Sequence, residues 1–352
     1  MVTSPRFPGS APRPSFRRML IAAGLAAVVA APAWAQEDQP VDLEAALQAQ
    51  WRENIATIDT PDEGCFHAAY PDLFWEQVEC GVASPLIHPV PRTVDADTGE
   101  VTGNGHDYAA EAKGLITKST GSFATTGVTS EKGVGVALFG GGGILGPNEY
   151  SLQMNTNFND TTSACAKHAG CTVWQQFIYA PDYFSYPKKG KAAVFIQYWL
   201  INWGKSPCPK GWITSKPDCF KNSSLTSAAD LPITDLGKIV LKATASAGGN
   251  DTVTATFGKD VWALTAKDSV LDISSVWHES EFNVVGNAGG SRADFNKGAK
   301  VTVTLKLADG SKLAPKCAAN AGTTGETNNL NLGACKASAP GGIPQIAFPE
   351  SD

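Results

Sequence analysis

The sequence has little charge and few histidines, and it lacks the short motifs of common metal and nucleotide sites. Charged residues make up 18% of the 352 positions, and the five histidines are scattered. CxxC and HExxH, the patterns of many zinc sites, are both missing. A run of four glycines at 140–143 is not followed by the Lys-Ser/Thr of a phosphate-binding loop. These absences argue against metalloenzymes and nucleotide-binding proteins, and we expect no metal and no other cofactor.

The sequence also lacks the GxSxG motif of serine hydrolases. Its eight cysteines fall into local couples, which in an exported protein predict disulfides that close loops, although eight cysteines allow other connectivities. A cysteine nucleophile is therefore disfavoured. The candidate pairs are Cys65 with Cys80, Cys165 with Cys171, Cys208 with Cys219, and Cys317 with Cys335.

Long hydrophobic runs are missing after the first 35 residues. The run from Met19 to Ala31 is too short to span a bilayer comfortably, follows a basic start and precedes the small-residue site Ala33-Trp34-Ala35. This pattern predicts a secretory signal peptide that is cleaved after Ala35. We expect a secreted or periplasmic protein without a membrane anchor.

Positive charge is scarce in the predicted mature chain. The signal contains four arginines and no acid, so its removal leaves 24 basic against 34 acidic residues and a net charge of −10. An acidic protein repels nucleic acid and anionic membrane surfaces, which excludes both as expected partners. We expect a monomer that acts on a polypeptide or, alternatively, on a polysaccharide.

Short β-rich runs dominate the chain from Tyr150 onward. Turn-forming residues separate them, and 35 glycines fit a turn-rich β protein better than a helical one. The pattern predicts an all-β fold, an antiparallel β-sandwich, for which we expect a concanavalin-like jelly roll with a small N-terminal region. The runs are YSLQMNTNF, CTVWQQFIYA, AAVFIQYWLINWG, KIVLKATAS, DTVTATFG, VWALTA, SVWHESEFNVV and AKVTVTLKLA.

Four segments are expected along the chain. Residues 1–35 are the signal peptide, and 36–143 form an N-terminal region that begins with a helix-like stretch and could be a propeptide. Residues 144–312 form the β-sandwich domain. Residues 313–352 form a disulfide-closed C-terminal extension that ends in a loosely held tail.

A single amide interrupts the apolar strand AAVFIQYWLI at 192–201. Alternate side chains of a strand share a face, so Gln197 is the only strongly polar side chain on the face that carries Phe195 and Trp199. A buried amide without a partner costs roughly 1–3 kcal/mol. We therefore expect a bound partner at Gln197, and an ordinary structural hydrogen bond to the backbone is the alternative.

Two carboxylates share one face of the strand at 275–286. Glu279 and Glu281 are two positions apart, and like charges in a partly buried groove raise the pKa of at least one acid. Such a carboxyl group suits a general acid or base. The alternative is a solvent-exposed face with ordinary acids.

The region from about 150 to 310 resembles the glutamic peptidases of the eqolisin family. TVWQQFIYA is similar to the family's aromatic strand around a tryptophan, AVFIQYWL to its Ala-Ile-Leu-Gln-Thr-Gly run, and SEFNVVG to its Ala-Glu-Trp-Ile-Val-Glu strand. SRADFNKGAKVTVT resembles the following Phe-Ala-Asp-Phe-Gly run. The family's Thr-Gly is replaced by Tyr-Trp here, and CPKGWITSKPDC is an added cysteine loop. More distantly, NEYSLQMNTN is similar to the neprosin-like peptidases, which use two glutamates.

The resemblance implies that Gln197 and Glu281, 84 positions apart, form a catalytic pair that activates water for peptide-bond hydrolysis. Glu281 would act as general base and then acid, and the Gln197 amide would bind the water and the developing oxyanion. We expect Trp174, Gln176, Trp199 and Glu279 to contact substrate. Gln153, Gln175 and Gln176 compete for the role of Gln197. The alternatives are a glycoside hydrolase that uses Glu279 and Glu281, and a non-catalytic carbohydrate-binding sandwich.

Overall fold

The computed structural model describes residues 43–88, 107–136, 141–182, 191–319 and 324–352. The predicted signal peptide and its cleavage after Ala35 lie outside these residues. Within them, the helix-like stretch forms α1 (Leu43–Ile55), and the short 3-10 helices are Ser163–Cys165, Ile233–Lys238, Asp268–Val270, Ile273–Ser275 and Pro340–Gly342. No helix in this part of the chain is long and apolar enough to cross a membrane.

Strands make up most of the regular structure, as the β-rich runs predict. The strands of the described residues are β1 (Gly64–Ala69), β2 (Glu76–Val78), β3 (Gly81–Val82), β4 (Tyr108–Glu111), β5 (Lys118–Thr126), β6 (Glu131–Gly135), β7 (Gly146–Pro147), β8 (Tyr150–Thr156), β9 (Thr172–Ala180), β10 (Ala192–Ile201), β11 (Ile213–Ser215), β12 (Asp218–Ala228), β13 (Ile239–Ala245), β14 (Asn250–Phe257), β15 (Asp260–Lys267), β16 (Glu279–Gly286), β17 (Ser291–Phe295), β18 (Lys300–Ala308), β19 (Lys316–Ala319), β20 (Thr327–Asn328), β21 (Asn331–Leu332), β22 (Lys336–Ser338) and β23 (Gln345–Ser351).

Two large antiparallel sheets form a sandwich, so the predicted fold class is confirmed. Sheet A has the order β2-β1-β15-β14-β13-β5-β18-β23-β21, with β22 also paired to β23. Sheet B has the order β11-β12-β10-β9-β8-β16-β4-β19, with β3 also paired to β12. A smaller sheet, β20-β17-β6-β7, contains the parallel pair β17 and β20.

The main core lies between sheets A and B. On β16, Phe282 faces sheet A and packs 4.7 Å, ring centre to ring centre, from Phe123 of β5. Next to it, the hydroxyls of Ser119 and Ser280 are 2.9 Å apart. Side chains at odd positions of β16 therefore point to the other face of sheet B, which we call the outer face. Alternation along β8, β9 and β10 divides their side chains in the same way.

Gly121 of β5 provides the space for Phe282. A Cβ atom at this position would lie 2.3 Å from Cδ1 of Phe282. We expect Gly121→Ala to lower the free energy of unfolding by about 1–3 kcal/mol, because the ring and strand β16 must shift. Urea denaturation checks this, with Gly142→Ala as the control, since its nearest neighbour is 3.7 Å away. Adding Phe282→Leu to Gly121→Ala should recover part of the loss, and equal stability of both alanine variants would contradict this packing.

The four predicted cysteine couples form disulfides. They are Cys65–Cys80, Cys165–Cys171, Cys208–Cys219 and Cys317–Cys335. Each closes a loop of 6 to 18 residues, so each restrains a local connection. Such a set is typical of exported proteins.

The region that the sequence sets apart as 36–143 shares both sheets with the rest of the chain. β1 pairs with β15 over six residue pairs, and β5 lies between β13 and β18 in the middle of sheet A. β4 pairs with β16 in sheet B. Residues Leu43–Asp352 cluster as one compact unit.

The loosely held C-terminal tail is a wrong prediction. Residues Gln345–Ser351 form β23, which pairs with β18 in sheet A. Ile346 and Phe348 alternate into the core and are fully buried, so the strand is held by apolar burial as well as by backbone hydrogen bonds. Proline and glycine around the strand obscure this alternation in the sequence.

Candidate active site on the outer face of sheet B

Polar side chains form transverse rows on the outer face because the strands of sheet B are in register. Gln197 pairs with Gln176, Gln176 with Asn155, and Asn155 with Glu281. These four residues form one row across β10, β9, β8 and β16. Trp199 and Trp174 pair next to it. Four neighbouring strands thus bring amides and a carboxyl group into one line.

The outer face carries all six residues that the sequence predicts for the site. Two of these residues lie on each of three strands, always on the same face. They are Gln197 and Trp199 on β10, Gln176 and Trp174 on β9, and Glu279 and Glu281 on β16. Of the competing glutamines, Gln153 shares this face, whereas Gln175 faces sheet A and donates to Asp251 Oδ2 at 2.7 Å. The catalytic and binding roles of the six residues stay predictions.

Gln197 is fully buried and makes hydrogen bonds through both atoms of its amide. Its Oε1 accepts from the backbone N–H of His88 at 2.8 Å and from Trp199 Nε1 at 3.1 Å. Its Nε2 donates to Asn222 Oδ1 at 2.6 Å and to the backbone carbonyl of Leu86 at 3.3 Å. Gln197 thus makes structural hydrogen bonds within the chain, two of them to backbone groups, which is the alternative to a bound partner.

Residues 81–88, which we call the covering segment, lie over this part of the outer face. The segment begins with β3, which pairs with β12, and Asn222 Nδ2 donates to the backbone carbonyl of Ser84 at 2.8 Å. Ile87 packs against the cluster formed by Trp174, Trp199 and Phe220. The segment therefore runs across the strands, from β12 over β10 towards β8, along the polar row.

His88 ends the covering segment in a buried polar pocket. Gln153 Nε2 lies 3.0 Å from its Nδ1, and Glu326 Oε1 lies 3.6 Å from the same atom. Burial lowers the pKa of His88 to about 3, and burial raises the pKa of Glu326 to about 8. Burial therefore favours a neutral imidazole beside a protonated carboxyl group.

Glu281 lies in the part of the row beyond Asn155. Asn155 Nδ2 donates to Glu281 Oε2 at 3.0 Å, and the carboxyl group of Glu281 hydrogen-bonds that of Asp107. Glu279, two positions earlier, is partly buried, and burial raises its pKa to about 7. The strand thus presents one acid inside a polar network and another near its edge.

Gln197 and Glu281 are not adjacent in this row. Three strand spacings separate them, or roughly 14 Å between Cα atoms on a flat sheet. The register places Gln176 and Asn155 between them, and the Gln197 amide is bound to the covering segment. The direct Gln197–Glu281 pair that the resemblance implies is therefore not formed in this state.

Several polar residues of the outer face were not predicted from the sequence. Asn155 and Asn283 could have been found by the alternation of β8 and β16. Asp107, Asn222 and Glu326 come from distant segments, and only the sheet order brings them to this face. Among the residues that the structure describes, no group of three or more His, Cys, Asp or Glu side chains is arranged to hold a metal ion.

The buried acids predict a stability that falls as pH rises above 6.5. Burial raises the pKa of Asp107 well above its usual range, and burial raises that of Glu350 to about 8. With Glu326, these groups keep protons in the folded state that the unfolded chain has already released, so folding becomes less favourable until the folded groups also ionise. His88 has the opposite effect on stability, but only below about pH 6.5. At these pH values the imidazole is charged in the unfolded chain and still neutral in the folded protein.

We expect the free energy of unfolding to fall between pH 6.5 and 8.5 by an amount on the order of a few kcal/mol. Urea denaturation at the two pH values measures this change. Glu326→Gln should reduce the difference, because the amide does not titrate. Equal stability at pH 6.5 and 8.5 would show that these acids are ionised in the folded protein.

Comparisons with known proteins give one distant structural likeness. No family model matches the chain, and no curated protein matches it. A solved structure described as scytalido-glutamic peptidase with a transition state analog inhibitor is similar with a TM-score of 0.28 and 9% identity. The match covers 69% of this chain and 96% of that chain.

Proposed function

We propose that the protein is an exported, metal-independent hydrolase that cleaves polypeptides, in which Glu281 of the outer face is the general base and acid. The observation that carries this proposal is the binding of residues 84–88 on the same face. An extended stretch of chain is held there through its backbone by side-chain amides, which is how a peptidase groove holds a substrate.

The backbone contacts favour a polypeptide as the ligand of this face. Gln197 accepts from the N–H of His88 and donates to the carbonyl of Leu86, and Asn222 donates to the carbonyl of Ser84. Alternating N–H and C=O groups of an extended chain match this set of amide donors and acceptors. These hydrogen bonds do not involve the ligand's side chains, so they are compatible with many sequences.

The direction of the covering segment favours Glu281 as the reacting group. A polypeptide that continued from His88 along the row would pass Asn155 and reach Glu281 within about three residues, at roughly 3.3 Å per residue. In this proposal Gln197 holds the substrate backbone some residues away from the cleaved bond. Asn155 orients the carboxylate of Glu281 through their hydrogen bond.

The reaction needs only one group that gives and takes a proton. Glu281 takes a proton from water while the water oxygen bonds to the carbonyl carbon, and the π electrons move to the carbonyl oxygen. When the tetrahedral intermediate collapses, the C–N bond breaks and the amine nitrogen receives the proton from Glu281. Because the carboxylate must ionise before each turnover and is protonated during it, we expect an acidic pH optimum.

The chain as described is then a latent form of the enzyme. The covering segment occupies the face, while β1 and the disulfide Cys65–Cys80 tie the preceding residues to sheet A. We propose that the covering segment must leave, and that β4, β5 and β6 stay because they belong to the sheets. Any cleavage on maturation would then fall between His88 and Asp107.

A glycoside hydrolase is the second candidate, and the raised pKa of Glu279, about 7, favours it. An acid of this pKa could protonate a leaving sugar oxygen while Glu281 acts as the partner carboxylate. The aromatic residues favour a polypeptide substrate instead. Trp174 and Trp199 are fully buried beneath the covering segment and Phe158, so no exposed indole at this point of the structure is ready to stack on a sugar.

Incubation with a denatured protein and with a panel of polysaccharides across pH 3–8 tests the proposal. Wild type is compared with Ile87→Ser, which weakens the apolar contact of the covering segment and which we call the opened variant. We expect the opened variant to release peptides at acidic pH. Release of sugars without peptides would favour the second candidate, and no hydrolysis of either substrate would overturn the proposed function.

A further inference from the structure

Asp107 extends the polar row beyond the residues that the sequence singles out. It lies two positions before Ala109, which pairs with Glu281, so its side chain shares the outer face. Asn283 Nδ2 donates to Asp107 Oδ1 and also to Glu350 Oε1, the latter at 2.8 Å. Asp107, Glu281 and Glu350 are each about 1% exposed, so all three carboxyl groups are closed to solvent.

The contact between Asp107 and Glu281 requires a proton. Their carboxyl groups hydrogen-bond each other, and two carboxylates cannot do so because both only accept. Asp107 Oδ2 is buried and accepts no hydrogen bond from an N–H or O–H donor of the described residues, so this oxygen can carry the proton. Glu281 Oε2 accepts from Asn155 and Asp107 Oδ1 accepts from Asn283, so each carboxyl group has its other oxygen left for the hydrogen bond between them.

The surroundings of Asp107 favour its protonated form. Glu281 approaches from β16, and Glu350 approaches from β23. Burial is the main cause of the raised pKa of Asp107, and the charges of Glu281 and Glu350 add to it. One proton shared among buried acids is the arrangement that like charges at short range enforce.

We propose that Asp107 is a positioning residue of the hydrolytic site, which carries the proton of the shared contact, donates a hydrogen bond to Glu281 and thereby holds the Glu281 carboxylate in place as the base. This inference rests on the proposed function of Glu281. It also means that the active protein retains Asp107, so residues from 107 onward belong to the mature enzyme.

The pH profile of kcat/KM for peptide hydrolysis tests the inference with two substitutions in the opened variant. Asp107→Ala removes the donor, and we expect the acidic limb to move up by about one pH unit, because Glu281 loses a hydrogen bond to its charged form. Asp107→Asn keeps a donor that does not titrate, so the acidic limb should stay in place and any alkaline limb caused by Asp107 should disappear. A uniform loss of rate without movement of either limb would overturn the positioning role.

Glu281→Gln in the same background separates this inference from the proposed function. If Glu281→Gln retains activity, the proposed function fails. If Glu281→Gln is inactive and both Asp107 variants keep the profile of the parent, the inference about Asp107 fails alone.

A second measurement does not depend on activity. In protein labelled with ¹³C at aspartate carboxyl groups, we expect resonances of both Asp107 and the buried Asp251 to remain in the protonated position at pH 6, and one of them to be missing in Asp107→Asn. Ionisation of that resonance near the usual aspartate pKa would overturn the inference even in a protein that hydrolyses nothing.

Discussion

Replacing Glu281 by glutamine in the opened variant is expected to lower the rate of peptide hydrolysis by roughly 10²- to 10⁴-fold, the usual contribution of a positioned general acid or base. The substitution is nearly isosteric. Asn155 Nδ2 can still donate to the side-chain oxygen at position 281, so the outer face should keep its shape. The loss should therefore fall on kcat, with little change of KM.

Glu279→Gln is the matched control for this prediction. Glu279 is on the same strand and face as Glu281. It is the first residue of β16, where it is only partly buried. We expect a peptidase to lose less than about tenfold when Glu279 is neutralised. Equal and complete inactivation by both substitutions would indicate that both carboxyl groups take part in the reaction, which contradicts a single general base and acid.

The opened variant itself is expected to gain activity of roughly 10- to 100-fold over wild type. Ile87 is partly buried against aromatic rings, so its packing contributes at most about 1.5–3 kcal/mol, the value for full burial. The hydrogen bonds of the segment to Gln197 and Asn222 add about 1 kcal/mol each. Ile87→Ser removes the apolar contact, and a bound substrate replaces the backbone hydrogen bonds of the segment. Together these changes should make the open state, in which the covering segment has left the face, the major one.

Val82→Ser provides the control for the opened variant. Val82 belongs to the same segment, yet 89% of its surface is exposed, so its replacement removes no packing. We expect this variant to stay as inactive as wild type. Equal activity of wild type, Val82→Ser and Ile87→Ser would show that the covering segment does not block the site.

The strand alternation made much of the candidate site predictable. Gln197 and Glu281 each interrupt an otherwise apolar or aromatic pattern, and alternation placed them with Trp199 and Glu279 on their correct strand faces. Both strands then lie in sheet B with those faces directed outward. Local periodicity suffices here because it depends only on residues within one strand.

Alternation could not show what lies between Gln197 and Glu281 or what covers them. The order β10-β9-β8-β16 inserts Gln176 and Asn155, and this order depends on pairing between distant segments. The covering segment includes Pro85 and follows a cysteine, so its sequence is typical of a loop. Its contact with Gln197 joins residues 109 positions apart, which no local pattern records.

The same limit explains β12 and β23. β12 (Asp218–Ala228) contains Lys221, Asn222 and Ser223, which read locally as loop residues, although the strand pairs with β10 along most of its length. Asn222 is polar because it contacts the backbone of the covering segment. In both strands, pairing with distant segments outweighs the local preference of the residues for a loop.

Competition by a synthetic peptide with the sequence of residues 83–88 tests most directly whether the outer face binds polypeptide backbone. We predict competitive inhibition of peptide hydrolysis by the opened variant. The inhibition constant should rise at least about tenfold in Gln197→Ala, which loses two backbone hydrogen bonds to the peptide. Inhibition that does not compete with substrate, or an inhibition constant unchanged by Gln197→Ala, would contradict the assignment of this face as the substrate site.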